Sequence, residues 1–389
     1  IMWTGLRNPN TIWHQYPLLA VGRIPAHTPE QAAIVNDKIR RFMITPHWQR
    51  AANRSIFIAD NVDNGQYHAS LDLVTQNIAK RNGDVTIKDY IDFFPNDYKQ
   101  PVPQLNADIS RRIHDGVGFV HYVGHSSYEG FVTGDYGITS KEAHNYTNET
   151  LPAMILSTCN LGHFDGPRST LGVSTLLASN ASIANIAYSR ESWARGNENA
   201  HDIIGRHLAE AKNGMTLGEL WLNIRTECVR FHMSSTRYSI NDINRNLLGD
   251  PELPLRFPEW NVKLSLAENP TTELKPLSPI KISGEICDTL GNLVTDFNGK
   301  ATIEVMLEGI PKTTRGIRDS NAKGMTYICG SVPVAKIATE VTGGKYDATI
   351  IIPRQNDGND IRFIVYAETD DNERFWLGRP DLASRALKT

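Results

Sequence analysis

Two stretches of the chain end a strand-like run on a reactive side chain. In LPAMILSTCNLGHFD, residues 151–165, an apolar run stops at Ser157-Thr158-Cys159 and gives way to Asn, Gly and His. Bounded by Pro152 and Gly162, that run reads as a buried strand, and Cys159 sits where it surfaces. GVGFVHYVGHSSYEG, residues 116–130, has the same form and ends its strand at Gly124 and His125. A cysteine attacks only as its thiolate, and a nearby imidazole makes that form accessible near neutral pH. Cys159 and His125 are therefore candidates for a nucleophile and its base. The amides of Ser126 and of Cys159 itself are candidates for oxyanion donors, placed where charge develops in acyl transfer. The plainer reading makes Cys159 a packing residue, since free Cys is among the most buried types, and His125 one structural or solvated histidine of 12.

Metal chemistry is a rival. His121 and His125 share a strand face, and His163 follows Cys159, which outlines a His/His/Cys zinc site. A strand spaces the two histidines roughly 13 Å apart, which disfavours it. The loop DNVDNG, residues 60–65, has the composition of a calcium loop without the remaining ligands, which favours a solvated turn. No cofactor is expected to be required, and a structural calcium ion stays compatible with the chain.

The elements that must position these groups alternate. Thr28-Pro29-Glu30 supplies an N-cap, a proline at the first helical position and an acidic first turn, opening a helix with Ala33, Ile34, Ile39 and Phe42 on one stripe. Strand 55–59 (SIFIA), a helix with Leu71, Val74, Ile78 and Ala79, a helix over 105–114, and strand 118–123 follow. The Cys159 strand comes next, then helix 169–179, strand 182–188, and helices 199–212 and 216–231. This order predicts a mainly parallel sheet flanked by helices. Ligands of such sheets bind outside the carboxyl ends of the strands, and Asp60 or Asp63, His125 and Cys159 all fall there, after three different strands.

Near Asn246 the texture changes. After NLLGDPELPLRFP no helix is evident, and KISGEIC, ATIEVML, YDATIII and DIRFIVYAE alternate between Gly, Asn and Asp turns. That predicts a β-sandwich of immunoglobulin-like size. The expected domains are 1–257 and 258–389.

At 389 residues the chain exceeds what one core usually serves. A formal charge of −3 with evenly spread charges offers no basic face for nucleic acid. No apolar run approaches the roughly 20 residues that span a bilayer. The chain opens at Ile1 without Met, as expected of a processed or N-terminally incomplete piece. Its four cysteines lack C-x-x-C spacing, which argues against a zinc knuckle or redox motif, while Cys287 and Cys329 lie in one strand-rich region and are a candidate pair.

HYVGHSS and, 34 positions from histidine to cysteine, STCNLGHFD resemble the paired GHG and C-x-x-G-x-F motifs of gingipain-type cysteine peptidases, grouped in one clan with the caspases. VGRIPAHTPEQA, IFIADNVDNG and NLLGDPELPLR resemble the same family, and together they cover most of residues 18–257. The tail, with ISGEICDTLGNLVTDFNG, and the run CNLGHFDGP are similar to the signal peptidases, or sortases, of type IX secretion.

The resemblance implies a caspase-like α/β domain followed by an immunoglobulin-like β-sandwich, acting as a cysteine endopeptidase on protein or peptide substrates, secreted or in the bacterial cell envelope. It makes Cys159 the nucleophile, His125 the acid/base, and the amides of Cys159 and Ser126 the oxyanion donors. It gives the orienting carboxylate to Asp63 or Asp60, with Asp63 preferred on spacing, and makes Trp193 a wall of the primary specificity pocket, against the plainer reading of a packing tryptophan. Two departures matter. Ser126 replaces a glycine, which leaves a catalytically silent binding module as an alternative. Gly65-Gln66 stands where arginine-selective members carry an acidic residue, so no strong preference for arginine is expected. A sortase-like transpeptidase, with an amine replacing water, is the other alternative.

Overall fold

The computed structural model describes residues 3–4, 16–44, 51, 53–60, 65–78, 85–90, 93–94, 97–101, 103–131, 136–232, 236–255, 257, 262–266, 277, 279–288, 290–314, 324–351, 361–371 and 375–378. Two compact units divide the chain: Ile1–Arg81 with Lys88–Arg256 and Thr313–Thr326 in the first, and Asn82–Ile87 with Phe257–Lys312 and Tyr327–Thr389 in the second.

The first unit is built on strands β1 (Gly22–Arg23), β2 (Arg54–Ala59), β3 (Phe119–Val123), β4 (Ala153–Ser157), β5 (Ala184–Tyr188) and β6 (Arg245–Leu248). They lie in the order β1-β6-β5-β4-β3-β2. Pairing is parallel from β2 through β5, antiparallel between β5 and β6, and parallel between β6 and β1. Strands covered on both faces read as continuous apolar runs, as SIFIA and AMIL do.

Helices α1 (Pro29–Ile44), α2 (Gln66–Ile78), α3 (Pro103–His114), α4 (Leu171–Leu177), α5 (Ala194–Glu210), α6 (Leu217–His232) and α7 (Thr236–Asn244) flank this sheet. At the start of α1 the Thr28 hydroxyl accepts from the Gln31 amide and the Gln31 side chain accepts from the His27 amide, a reciprocal cap that fixes where the helix begins. Lys38 is buried and donates to carbonyls at the end of α4 and just beyond it, including Ser182 at 2.6 Å, which ties α1 to that helix terminus.

Alternation along the strands decides the two faces. Ile56, Ile58, Val120, Tyr122, Met154 and Leu156 are buried with Ile109 and Ile113 of α3 and Leu171 of α4. Full burial of each such aliphatic side chain contributes about 1.5–3 kcal/mol. His121, on the other face, meets His201 of α5 at 5.1 Å between ring centroids, and His201 bonds to Ser70 of α2.

The second unit is an antiparallel sheet of β7 (Val262–Leu266), β8 (Pro279–Ile286), β9 (Gly299–Leu307), β10 (Val332–Thr342), β11 (Lys345–Ile351), β12 (Ile361–Thr369) and β13 (Phe375–Gly378). Its order is β7-β8-β11-β10-β9-β12-β13. Pairing between β10 and β11 is confined to Val341–Tyr346 and Thr342–Lys345 beside their turn, whereas β8 pairs with β11, and β9 with β10 and β12, along most of their lengths. Ile282, Ile286 and Ile350 share one core with Ile303, Val305, Phe363 and Val365. Cys287 and Cys329, expected as a candidate pair, are both buried and are not joined in a disulfide.

Three histidines of the first unit are kept neutral by burial. His121 is pushed down to about 3, with the Arg245 charge adding to burial, and His68 to about 4, with Asp72 opposing. His201 falls well below its ordinary value through burial, His121 and Arg245. In the unfolded chain each takes up a proton near pH 6.5 that the folded chain refuses, so stability is complete above that pH and declines as pH falls, by up to about 1.4 kcal/mol per unit for each group. Urea midpoints should accordingly drop between pH 7 and pH 5, and the slope should be shallower in His121→Asn. An identical slope in that variant would remove His121 from the account.

Candidate active site

Parallel register aligns three strand ends. Ala59 pairs with Val123, and Val123 with Ser157, so Asp60, Gly124-His125 and Thr158-Cys159 leave the sheet side by side. Neighbouring strands lie about 4.8 Å apart, which places the imidazole and the thiol, each two residues past its strand, on adjacent tracks.

Asp60 is fully buried. Its amide donates to the Val123 carbonyl at 2.9 Å, and its carboxylate accepts from the His125 amide at 3.1 Å. The carboxylate thus holds the backbone of His125. Asp63, the preferred orienting acid on spacing, lies outside the described residues. The His125 ring is exposed and meets Tyr67 of α2: the hydroxyl lies 3.3 Å from Nε2 and the rings meet edge to face at 5.7 Å. Gly124 makes this turn at φ +155°, where a Cβ would stand 2.3 Å from Cβ of Asp60.

Hydroxyls stitch the two loops together. Thr158 donates to the Gly124 carbonyl at 2.6 Å and lies 2.9 Å from the Ser126 hydroxyl, which itself donates to the Cys159 carbonyl at 2.6 Å. Asn160 turns the chain at φ +60°, a left-handed conformation that asparagine tolerates. Its amide donates to the Arg190 carbonyl and that of Gly162 to the Tyr188 carbonyl, docking the cysteine loop on the end of β5.

The sulfur is half-buried, and among the described residues its hydrogen-bonding partners all belong to Ser192. The Ser192 amide donates to Sγ at 3.3 Å, with its carbonyl at 3.6 Å and hydroxyl at 3.8 Å. The thiol and the imidazole are therefore neighbours by register without a hydrogen bond to each other. Among the described residues, neither the Ser126 amide nor the Cys159 amide has an acceptor.

Trp193, one residue beyond Ser192, is 41% exposed. Asn241 of α7 accepts from its amide and donates to its carbonyl, both at 2.9 Å.

His163 lies 3.2 Å from Asp165, with its ring 5.6 Å from that of Tyr128. The Arg190 guanidinium makes two bonds to Asp165 and holds that carboxyl below the usual carboxylate range. His121 is buried beneath the rim, 3.3 Å from the Ser157 hydroxyl. Among the described residues no group of three His, Cys, Asp or Glu side chains could hold a metal. Burial pushes the Cys228 thiol up to about 12, so it is inert where Cys159 is accessible.

Sequence reasoning misses Tyr67, Thr158, Ser192 and Asn241. Ser192 precedes Trp193 in SRESWARGN, but a polar residue beside a tryptophan carries no signal of its own.

Fold and rim together are those of a cysteine-type peptidase. Residues 3–256 match the model of peptidase family C25, and the chain belongs to that family. Its structure is similar to that of the Arg-specific cysteine proteinase gingipain R, with 16% identity over 94% of this chain and 75% of that one and a TM-score of 0.51. It is also similar to the complex of RgpB pro- and mature domains from Porphyromonas gingivalis, with 15% identity over 95% of this chain and 78% of that one and a TM-score of 0.50. No curated protein matches the chain in sequence.

The Ser126 clasp is testable. Ser126→Gly should lower stability to denaturant by about 1 kcal/mol, the usual net value of one intramolecular hydrogen bond. An unchanged midpoint would mean the bond to the Cys159 carbonyl contributes nothing.

Proposed function

We propose that the chain is an endopeptidase that cleaves protein or peptide substrates through a Cys159/His125 dyad. His125 takes the thiol proton as Sγ attacks the scissile carbonyl, and the Ser126 and Cys159 amides receive the developing oxyanion. His125 then protonates the leaving amine, and a thioester to Cys159 remains. Water, deprotonated by His125, hydrolyses it. The observation that carries this reading is the pair of amides without acceptors on the same two loops that bring the thiol and the imidazole to one rim. The missing bond between sulfur and ring is compatible with it, because catalytic hydrogen bonds are often long before substrate binds.

Orientation of His125 is assigned to Asp60 through the backbone, to Tyr67 through the ring, and to Asp63 as the remaining carboxylate of that loop. Trp193 walls the primary pocket. Ser126 in place of glycine is compatible with activity, since its hydroxyl is engaged by the Cys159 carbonyl and its amide is not engaged. Residues 258–389 are read as the immunoglobulin-like sandwich, on the limited pairing of β10 with β11 and the shared core of the strands on either side of that turn. The reaction needs no cofactor. Secretion or residence in the cell envelope suits a peptidase of this family, and among the described residues no helix is long and apolar enough to cross a membrane.

Labelling with iodoacetamide and an acyloxymethyl ketone tests the dyad. Cys159 should react faster than Cys228, Cys287 and Cys329, and His125→Ala should abolish that advantage. Equally slow labelling of all four would sink the proposal, and acyl transfer to an added amine would convert it into the transpeptidase reading. In a substrate panel, Gly65-Gln66 in place of an acidic residue predicts no strong preference for arginine at the cleaved bond. An arginine substrate cleaved far faster than all others would overturn that specificity.

A further inference from the structure

Beneath the loop that touches the sulfur lies a buried amide pair that the acyl-transfer scheme does not use. Asn197 of α5 is 3% exposed and Asn241 of α7 is 0% exposed. The Asn197 Oδ1 accepts from the Tyr188 hydroxyl, from Arg245 Nη2 at 3.2 Å and from Asn241 Nδ2 at 3.2 Å. Its Nδ2 donates to the Ser157 carbonyl and to the Ser192 hydroxyl, both at 3.3 Å. Three donors on one side and two acceptors on the other leave this amide a single orientation. Asn241, through its own two bonds, grips the backbone of Trp193.

We propose that Asn197 and Asn241 are positioning residues for the peptidase reaction: a clamp that ties the Ser192-Trp193 loop to the end of β4, setting the Ser192 amide on the Cys159 sulfur and fixing the tryptophan beside it. The inference rests on the Cys159 reading above. Ser157 ends β4 and Ser192 lies in the loop after β5, and Cys159 lies two residues past the first and touches the second. A bond from one side chain to both therefore sets the height of the loop over the sulfur. Arg245 supplies the anchor. It is 1% exposed, and its Nη2 donates both to the Tyr188 hydroxyl and to the Asn197 oxygen, which that hydroxyl also reaches.

Asn197→Asp separates positioning from folding. The variant keeps the oxygen that Tyr188, Arg245 and Asn241 use, and the buried guanidinium beside the new carboxylate offsets the cost of burying its charge, so the variant should stay folded. It loses the donor to Ser157 and Ser192 and turns an oxygen toward both. The expected result is a roughly 10- to 100-fold fall in kcat and in the labelling rate of Cys159, with KM changing less, the scale that misplacement by about 1 Å produces. Ser192→Ala, at a half-buried position, removes the same contact from the loop side and should lower both rates in the same direction with the melting temperature unchanged. Labelling and kcat equal to those of the parent protein in a folded Asn197→Asp or Ser192→Ala variant would overturn the clamp. Loss of all activity in Cys159→Ala, measured alongside, keeps that outcome distinct from a failure of the peptidase reading itself.

Discussion

Parallel pairing of β2 with β3, and of β3 with β4, brings Ala59, Val123 and Ser157 level with one another, and every group at the rim inherits its place from that alignment. Register in a sheet buried on both faces is strongly specified, because a slip of one residue would exchange Val120 and Tyr122 for His121 on the apolar side. The aliphatic packing of Ile56, Ile58, Met154 and Leu156 therefore sets how far Cys159 and His125 protrude. Chemistry at the rim is a consequence of packing in the core.

Polar groups then refine what the strands align. Asp60, buried at the end of β2, holds the amide of His125, Tyr122 donates to the His125 carbonyl, and Thr158 and Ser126 link the two loops. A buried carboxylate costs free energy unless its oxygens are engaged, and here engagement fixes the backbone that carries the imidazole. Deeper in the unit, Arg245 lies buried among Tyr188, Asn197 and Asp242, an arrangement that a hydrophobic core of equal volume would match in stability. Its presence is better explained by the geometry it imposes on the loop above it than by any gain in stability.

Much of this is legible in the amino-acid sequence alone. Capping at Thr28, the apolar runs of β2 to β5 and the two strand ends announce the parallel α/β unit, and Cys159 and His125 stand out because each follows such a run. Most of what stays hidden has one physical reason. Helix α7 runs over TRYSINDIN, where among the described side chains Asn241 and Asp242 face inward while Ile240 is exposed, so hydrophobic periodicity there runs against the helix. For the same reason the expected start of α5 at residue 199 is five residues late. Its first turn buries Gly196 and Asn197. A buried polar face leaves no apolar stripe, and the residues that grip the catalytic loop lie on such faces. Tyr67 escapes notice differently, as an aromatic residue in a helix that reads as core until its hydroxyl is found beside the imidazole.

The thiol and the imidazole are each held by a partner of their own, Ser192 for the sulfur and Tyr67 for the ring, rather than by each other. A thiol already bonded to its base would have to give up that contact as the substrate carbonyl enters. In the proposed mechanism, separate supports let attack and proton transfer begin from groups whose positions are independent of one another, and the reacting carbonyl would be the element that joins them. Preorganisation of this kind stores the cost of alignment in folding, where the aliphatic core offsets it, instead of in the approach to the transition state. The same separation explains why the loop carrying Ser192 needs fixing from beneath: with no bond to His125, the sulfur takes its direction from that loop.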